Sequence, residues 1–195
     1  MTRNFSGSVR LVSLSLFLFL LLIPSASLLH AQEVPRYDIF GGYAYRWFDA
    51  PSIGYPGHSN LSGFNIDATG YIFMKLGVTI DASGDYGSQL QVYNFMFGPQ
   101  YTLRRDRSKF YVHGLFGKAQ NRVDIPQPTR SHFESVGKSY GGGGGFDYDY
   151  SDRWSIRVFQ ADFIHSNTFG TAQNDVRVST GVVYHFGHLG HKRKL

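Results

Sequence analysis

Cysteine is absent from the 195 residues. That excludes a disulfide framework, a lipid-attachment thiol and a thiolate metal site, and it leaves stability to the fold itself. Net charge is also scarce in the body of the chain. The formal surplus of +5 includes Arg3 and Arg10 near the start and Lys192, Arg193 and Lys194 near the end, so what lies between is close to neutral. A surface for nucleic acid is therefore not expected. Arg104, Arg105 and Arg107 gather at one short turn, which suits lipid phosphates or plain solvation. A phosphate-cradling loop is missing too. The five-glycine run 141–145 is followed by Phe146 and Asp147, not by the lysine and hydroxyl residue such loops need. Glycines in a strand are expected instead to let it curve and to let large neighbours fit.

The long apolar run, 11–23, is too short to cross about 30 Å of hydrocarbon comfortably as a helix. It follows Arg3 and Arg10, stops at Pro24 and precedes Leu29-His30-Ala31. This is the pattern of a secretory signal peptide over residues 1–31, cleaved after Ala31. The expected organisation is one barrel domain over 32–187 and a short basic tail over 188–195. No second domain, coiled coil or peptidoglycan-binding module is expected.

What the mature chain has in abundance is alternation with a period of two. In 176–186, Val176, Val178, Thr180, Val182, Tyr184 and Phe186 share one face, and Arg177, Ser179, Gly181, Val183 and His185 the other. Similar segments fall at about 36–48, 61–73, 75–83, 90–103, 109–119, 141–150 and 154–165. Pro99 cannot donate to a sheet ladder and predicts a local bulge. The seventh segment changes phase: keeping Ile156 outward would push Gln160 and Asp162 out, so a bulge is expected near Val158–Phe159. Long connections are expected at 49–60, 84–89, 120–132 and 166–173, alternating with short ones. A greasy, aromatic-ended face opposite a polar one suits a strand whose outer solvent is lipid, where only a helix or a closed sheet satisfies the backbone. The expected fold is all-β: an eight-stranded antiparallel up-and-down transmembrane β-barrel, with both chain ends in the periplasm.

The inward list holds Asp38, Arg46, Asp67, Asp81, His113, Asp147, Asp149, Arg157, Asp162 and Arg177. An eight-stranded barrel is just wide enough for side chains to fill, so these groups are expected to pair in a packed polar lumen. Arg157 and Arg177 are expected to meet Asp147 and Asp162, since the last three strands are neighbours. The alternative is a narrow solute pore lined by the same charges.

The closing stretch Arg177-Val178-Ser179-Thr180-Gly181-Val182-Val183-Tyr184-His185-Phe186, with Gly143-Gly144-Gly145-Phe146-Asp147-Tyr148 and Trp154-Ser155-Ile156-Arg157, resembles the small outer-membrane β-barrel proteins of the OmpA-transmembrane, OmpX and opacity-protein type. The resemblance implies a Gram-negative outer membrane. It also implies that Tyr184 and Phe186 carry the aromatic signal read by the barrel-assembly machinery, although residues 187–195 follow Phe186. Expected partners are outer-membrane lipids and lipopolysaccharide, plus that machinery and periplasmic chaperones during biogenesis. The expected role is non-catalytic, structural or surface-interacting, through the outer loops; no cofactor or metal is implied. Ile164-His165-Ser166-Asn167 faintly resembles the active-site stretch of the lipid A deacylases, so His165, Ser166 and Asp175 form an alternative acyl-hydrolase site. In that family the His and Ser are separated by one residue and share a face; here they are adjacent. His185, His188 and His191 recur every third residue; the first falls in a strand and the other two in the tail, so a solvated basic tail suits the pattern better than a metal site.

Overall fold

Period-two alternation builds eight strands: β1 (Val34–Phe48), β2 (Ser59–Tyr71), β3 (Leu76–Tyr86), β4 (Leu90–Arg105), β5 (Ser108–Ile125), β6 (Ser131–Asp149), β7 (Trp154–Thr168) and β8 (Thr171–Leu189). The computed structural model describes residues 34–48, 59–125 and 131–189. The expected signal peptide, residues 49–58 and 126–130 of the expected loops, and residues 190–195 of the expected tail lie outside them. Each strand pairs antiparallel with the next, and β8 returns to β1 to close the ring. Closure leaves no strand edge unpaired, which is the condition for crossing hydrocarbon with strands.

The two faces of the wall differ as the alternation requires. On β3, Ile80 is 48% exposed while its neighbour Asp81 is fully buried. On β4, Phe95 and Phe97 point out while Asn94 and Met96 point in. In water, each exposed large side chain would forgo about 1.5–3 kcal/mol of burial. A soluble barrel has the opposite arrangement, apolar within and polar without. This chain is an all-β transmembrane barrel.

The expected bulge in β7 is present. Arg157 faces Gly181 and Gln160 faces Ser179, so one residue of β7 has no counterpart. Val158 and Phe159 are both exposed, and Gln160 and Asp162 turn inward beside Arg157. The bulge expected at Pro99 is not there. Phe97 faces Phe116 and Gln100 faces His113, the same register on both sides, and Val78 faces Pro99 directly. Proline on the outward face thus removes a donor without adding a residue.

The alternation of long and short connections also needs correcting. Short turns at 72–75, 106–107 and 150–153 share one end of the barrel with both ends of the sheet. At the other end, however, β3 and β4 are separated only by 87–89, and β7 and β8 only by 169–170. The expected loops 120–132 and 166–173 are mostly strand, since β5 runs to Ile125, β7 to Thr168 and β8 begins at Thr171. Above the apolar belt the outer face is polar as well, as at Gln120, Asn167 and Asn174, so alternation fades although the ladder continues. Phe169 and Gly170 take φ of 54° and 73°, the left-handed pair of a tight hairpin turn. β8 also continues to Leu189, past the expected barrel boundary at 187.

Deleting Val158 is expected to leave every other side chain on its present face. Such a variant should still refold in detergent to a band that shifts on heating in gel electrophoresis. Deleting Ser179 from the regular strand opposite turns half of β8 inside out, and should abolish that band.

Candidate functional site in the lumen

Inward-facing polar residues from all eight strands meet in the lumen, organised around three guanidinium groups. Arg157 projects from β7 beside the bulge. Its Nε donates to Asp147 Oδ1 at 2.9 Å, and its Nη1 to Asp67 Oδ2 at 2.5 Å and to Gln160 Oε1 at 2.6 Å. Its flat faces lie against the rings of Phe40 (4.0 Å) and Tyr111 (4.6 Å). Arg177 grips Asp81 with two parallel bonds of 2.9 and 2.8 Å and reaches Asp162 at 2.7 Å. Arg46 meets Asp85 at 2.8 Å and Asp175 at 3.5 Å. The Asn94 amide oxygen, turned toward it, accepts at 2.6 and 2.9 Å.

Each guanidinium is thus held between two carboxylates, one from β2 or β3 and the other from β6, β7 or β8. Neighbouring polar groups complete the set. His113 Nε2 donates to Asp162 Oδ1 at 2.8 Å, Asn65 to Asp81 at 2.7 Å and Gln160 to Asp162 at 2.8 Å. Inward glycines make the room: a Cβ on Gly143 would run into the Asp162 carboxylate, and one on Gly145 into the Tyr111 hydroxyl. All eight residues of the expected network, Asp38, Asp67, Asp81, His113, Asp147, Arg157, Asp162 and Arg177, stand in the lumen and are buried.

Both mouths are filled as well. At the short-turn end, His185 Nδ1 meets Asp38 Oδ1 at 2.6 Å and its Nε2 meets Ser155 Oγ at 2.5 Å. This places a Ser, a His and an Asp in the connectivity of a hydrolytic triad. The surroundings argue against that chemistry. Lys109 Nζ lies 2.8 Å from the same Nε2 and 3.1 Å from Asp149, Ser155 also donates to Asp149, and Ser155 is 1% exposed. The nitrogen that would accept the serine proton already faces an ammonium, so the group is an ion cluster closing the mouth. At the opposite end, Phe48, Leu61, Leu90, Val92 and Val123 form an apolar cap. Beside it, Asn121 donates to Thr168 and Gln173 at 2.7 Å each.

The sequence-expected hydrolase residues do not converge. Ser166 turns into the lumen toward Gln173, and Asp175 turns in toward Arg46. His165 lies on the outer face, its ring tilted against that of Tyr140, and is bonded to Asn174 at 2.7 Å. Tyr184 and Phe186 are on the outer face near the short-turn end, with Phe186 against Tyr37 and Tyr184 against Trp154. His185 stands in the lumen, on the inward face that the alternation of 176–186 gives it, whereas the side chain of His188 and all of His191 lie outside the described residues. Asp85 and Lys109 escaped the sequence reading, although both continue the inward phase of their strands by two residues.

A closed eight-stranded barrel with an apolar exterior and a filled, charged lumen is the architecture of small outer-membrane barrels, and solved structures match it. Neisserial surface protein A superposes with a TM-score of 0.61 at 15% identity, over 77% of this chain and 97% of that one. Ail, the attachment invasion locus protein of Yersinia pestis, gives 0.57 at 16% identity, over 76% and 98%. The outer-membrane protein OprG of Pseudomonas aeruginosa gives 0.50 at 14%, over 81% and 98%. At these identities the likeness is one of fold. No family model matches the sequence. No curated protein matches it either.

Removing one partner of a buried pair leaves the other charge stranded. Arg177→Ala is expected to lower stability by about 3–5 kcal/mol in urea unfolding from lipid vesicles. Glu134→Ala, which breaks the exposed pair with Arg122, should cost less than about 1 kcal/mol in the same assay.

Proposed function

We propose that the protein is a non-catalytic barrel of the Gram-negative outer membrane, exported through a cleaved signal peptide, with a structural or surface-interaction role at its outer end. The observation that carries this reading is the filled lumen. Arg46 and Arg177 are both 0% exposed in the middle of the barrel, and Phe48 and Leu61 are 0% exposed at one mouth. With the lumen filled and no converged nucleophile among the described residues, the outer surface and rim are the parts we assign to its action.

The fold neighbours support the same direction. One is Neisserial surface protein A and another is the attachment invasion locus protein of Yersinia pestis, the latter also solved in complex with the heparin analogue sucrose octasulfate. At this end β3–β4 and β7–β8 are joined by tight turns at 87–89 and 169–170, so we assign such contact to the residues between β1 and β2 and between β5 and β6. Outer-membrane lipids and lipopolysaccharide face the aromatic belt. The barrel-assembly machinery and periplasmic chaperones act during biogenesis, with Tyr184 and Phe186 as the aromatic signal.

Purified protein in planar bilayers is expected to give no stepwise conductance, while cell fractionation recovers it with the outer membrane. Reproducible unit steps would instead favour the solute-pore reading. Steps that appear only in Arg46→Ala would agree with the proposed plug.

A further inference from the structure

The outward face of β5 and β6 carries two features that neither the lumen nor the fold requires. The first is a pair of lysines. Lys118 and Lys138 are direct cross-strand partners, and both are exposed. Like charges directly opposite on one sheet face repel. Among the described residues no acid pairs with either, the nearby Glu134 being engaged by Arg122 and Gln120. From Phe110 to Lys118 the strand rises about 27 Å, or about 20 Å along the membrane normal at a tilt near 40°. The lysines therefore lie where the apolar belt meets the headgroups.

The second is a hollow beneath them. Phe116 pairs with Tyr140 below the lysines, and Gly114 pairs with Gly142 one row further down. An added Cβ at Gly114 meets nothing within 4 Å, and one at Gly142 meets only a carbonyl at 3.5 Å, an ordinary contact. The barrel's own packing does not demand glycine at either place, although glycine weakens a strand interior. These differ from Gly143 and Gly145 on the other face, where a Cβ would collide with the lumen network. The hollow starts about 14 Å along the strand from the lysines, within the acyl region just under the headgroups.

We propose that Lys118, Lys138 and the Gly114–Gly142 hollow form a site for a phosphorylated, multiply acylated glycolipid of the outer leaflet, the lipid A part of lipopolysaccharide. The ammonium pair takes a phosphate and an acyl chain lies over the glycines. This rests on the outer-membrane reading above, with the short-turn end in the periplasm. A zwitterionic phospholipid carries its own cation beside its phosphate and matches the pair less well. A second copy of the chain docked by a two-fold axis would bring four ammonium groups together.

Native mass spectrometry of the full chain in detergent, titrated with diphosphoryl lipid A, tests the site. The wild type is expected to retain one lipid A, to bind monophosphoryl lipid A more weakly and to show no retained phosphatidylcholine. Lys118→Gln with Lys138→Gln should weaken binding at least tenfold. Gly114→Leu with Gly142→Leu should do the same while the heat-modifiable band is kept, because the space is open. Unchanged affinity in either double variant would overturn the proposal. So would full displacement by inorganic phosphate at equal concentration, or a wild-type dimer that the leucines dissolve. Outer-membrane recovery without lipid A binding sinks this inference alone; recovery elsewhere sinks the location on which it rests.

Discussion

Three guanidinium groups held between opposed carboxylates are what the interior of this barrel depends on. A carboxylate or guanidinium removed from water is costly unless it is paired and hydrogen-bonded, and the penalty for losing one partner falls on the other. Each clamp in this lumen joins a carboxylate from β2 or β3 to one from β6, β7 or β8, with the arginine as the bridge. The inner faces of the wall are thereby tied to one another across the lumen, not only along the hydrogen-bond ladder. The aromatic rings on either side of Arg157 and the glycines opposite Asp162 and Tyr111 fit that arrangement.

The same glycine run is used differently on its two faces. Gly143 and Gly145 are small because the lumen is full; Gly142 is small where nothing within the molecule crowds it. Alternation makes this possible, since successive residues of one strand answer to two unrelated environments. The interior is thus filled while the outer wall is uneven along the β5–β6 seam.

Much of this was legible in the sequence because lipid imposes a simple rule on the outer face. Ile80, Phe95 and Val112 had to be apolar, so the phase of each strand and the inward list followed. The β7 bulge could be inferred because Gln160 and Asp162 could not both face lipid. Where that rule ends, the pattern ends too. Residues 120–125 and 166–168 stand above the belt, where outward Gln120 and Asn167 look like loop residues, although Asn121, Thr168 and Gln173 are hydrogen-bonded inside. The partner of Arg46 was missed for the same reason: Asp85 lies past the last residue that alternates clearly. Pro99 was misjudged because an outward proline costs a donor and need not cost register. The Ser155–His185–Asp38 group was beyond sequence reading, since those residues come from three strands and meet only through closure.

The clamps also set the order of events in folding. Arg46 and Asp175 are 129 positions apart in the chain, Arg177 and Asp81 are 96 apart, and Arg157 and Asp67 are 90 apart. No single hairpin can form any of these three; β1, or β2 and β3, must already stand opposite β7 and β8. Interactions of such long range form late, after the entropy of joining distant segments has been met. Contacts absent from the transition state act mainly on the rate of unfolding. The ion clamps should therefore contribute little to how fast the barrel forms and a great deal to how long it persists once shut.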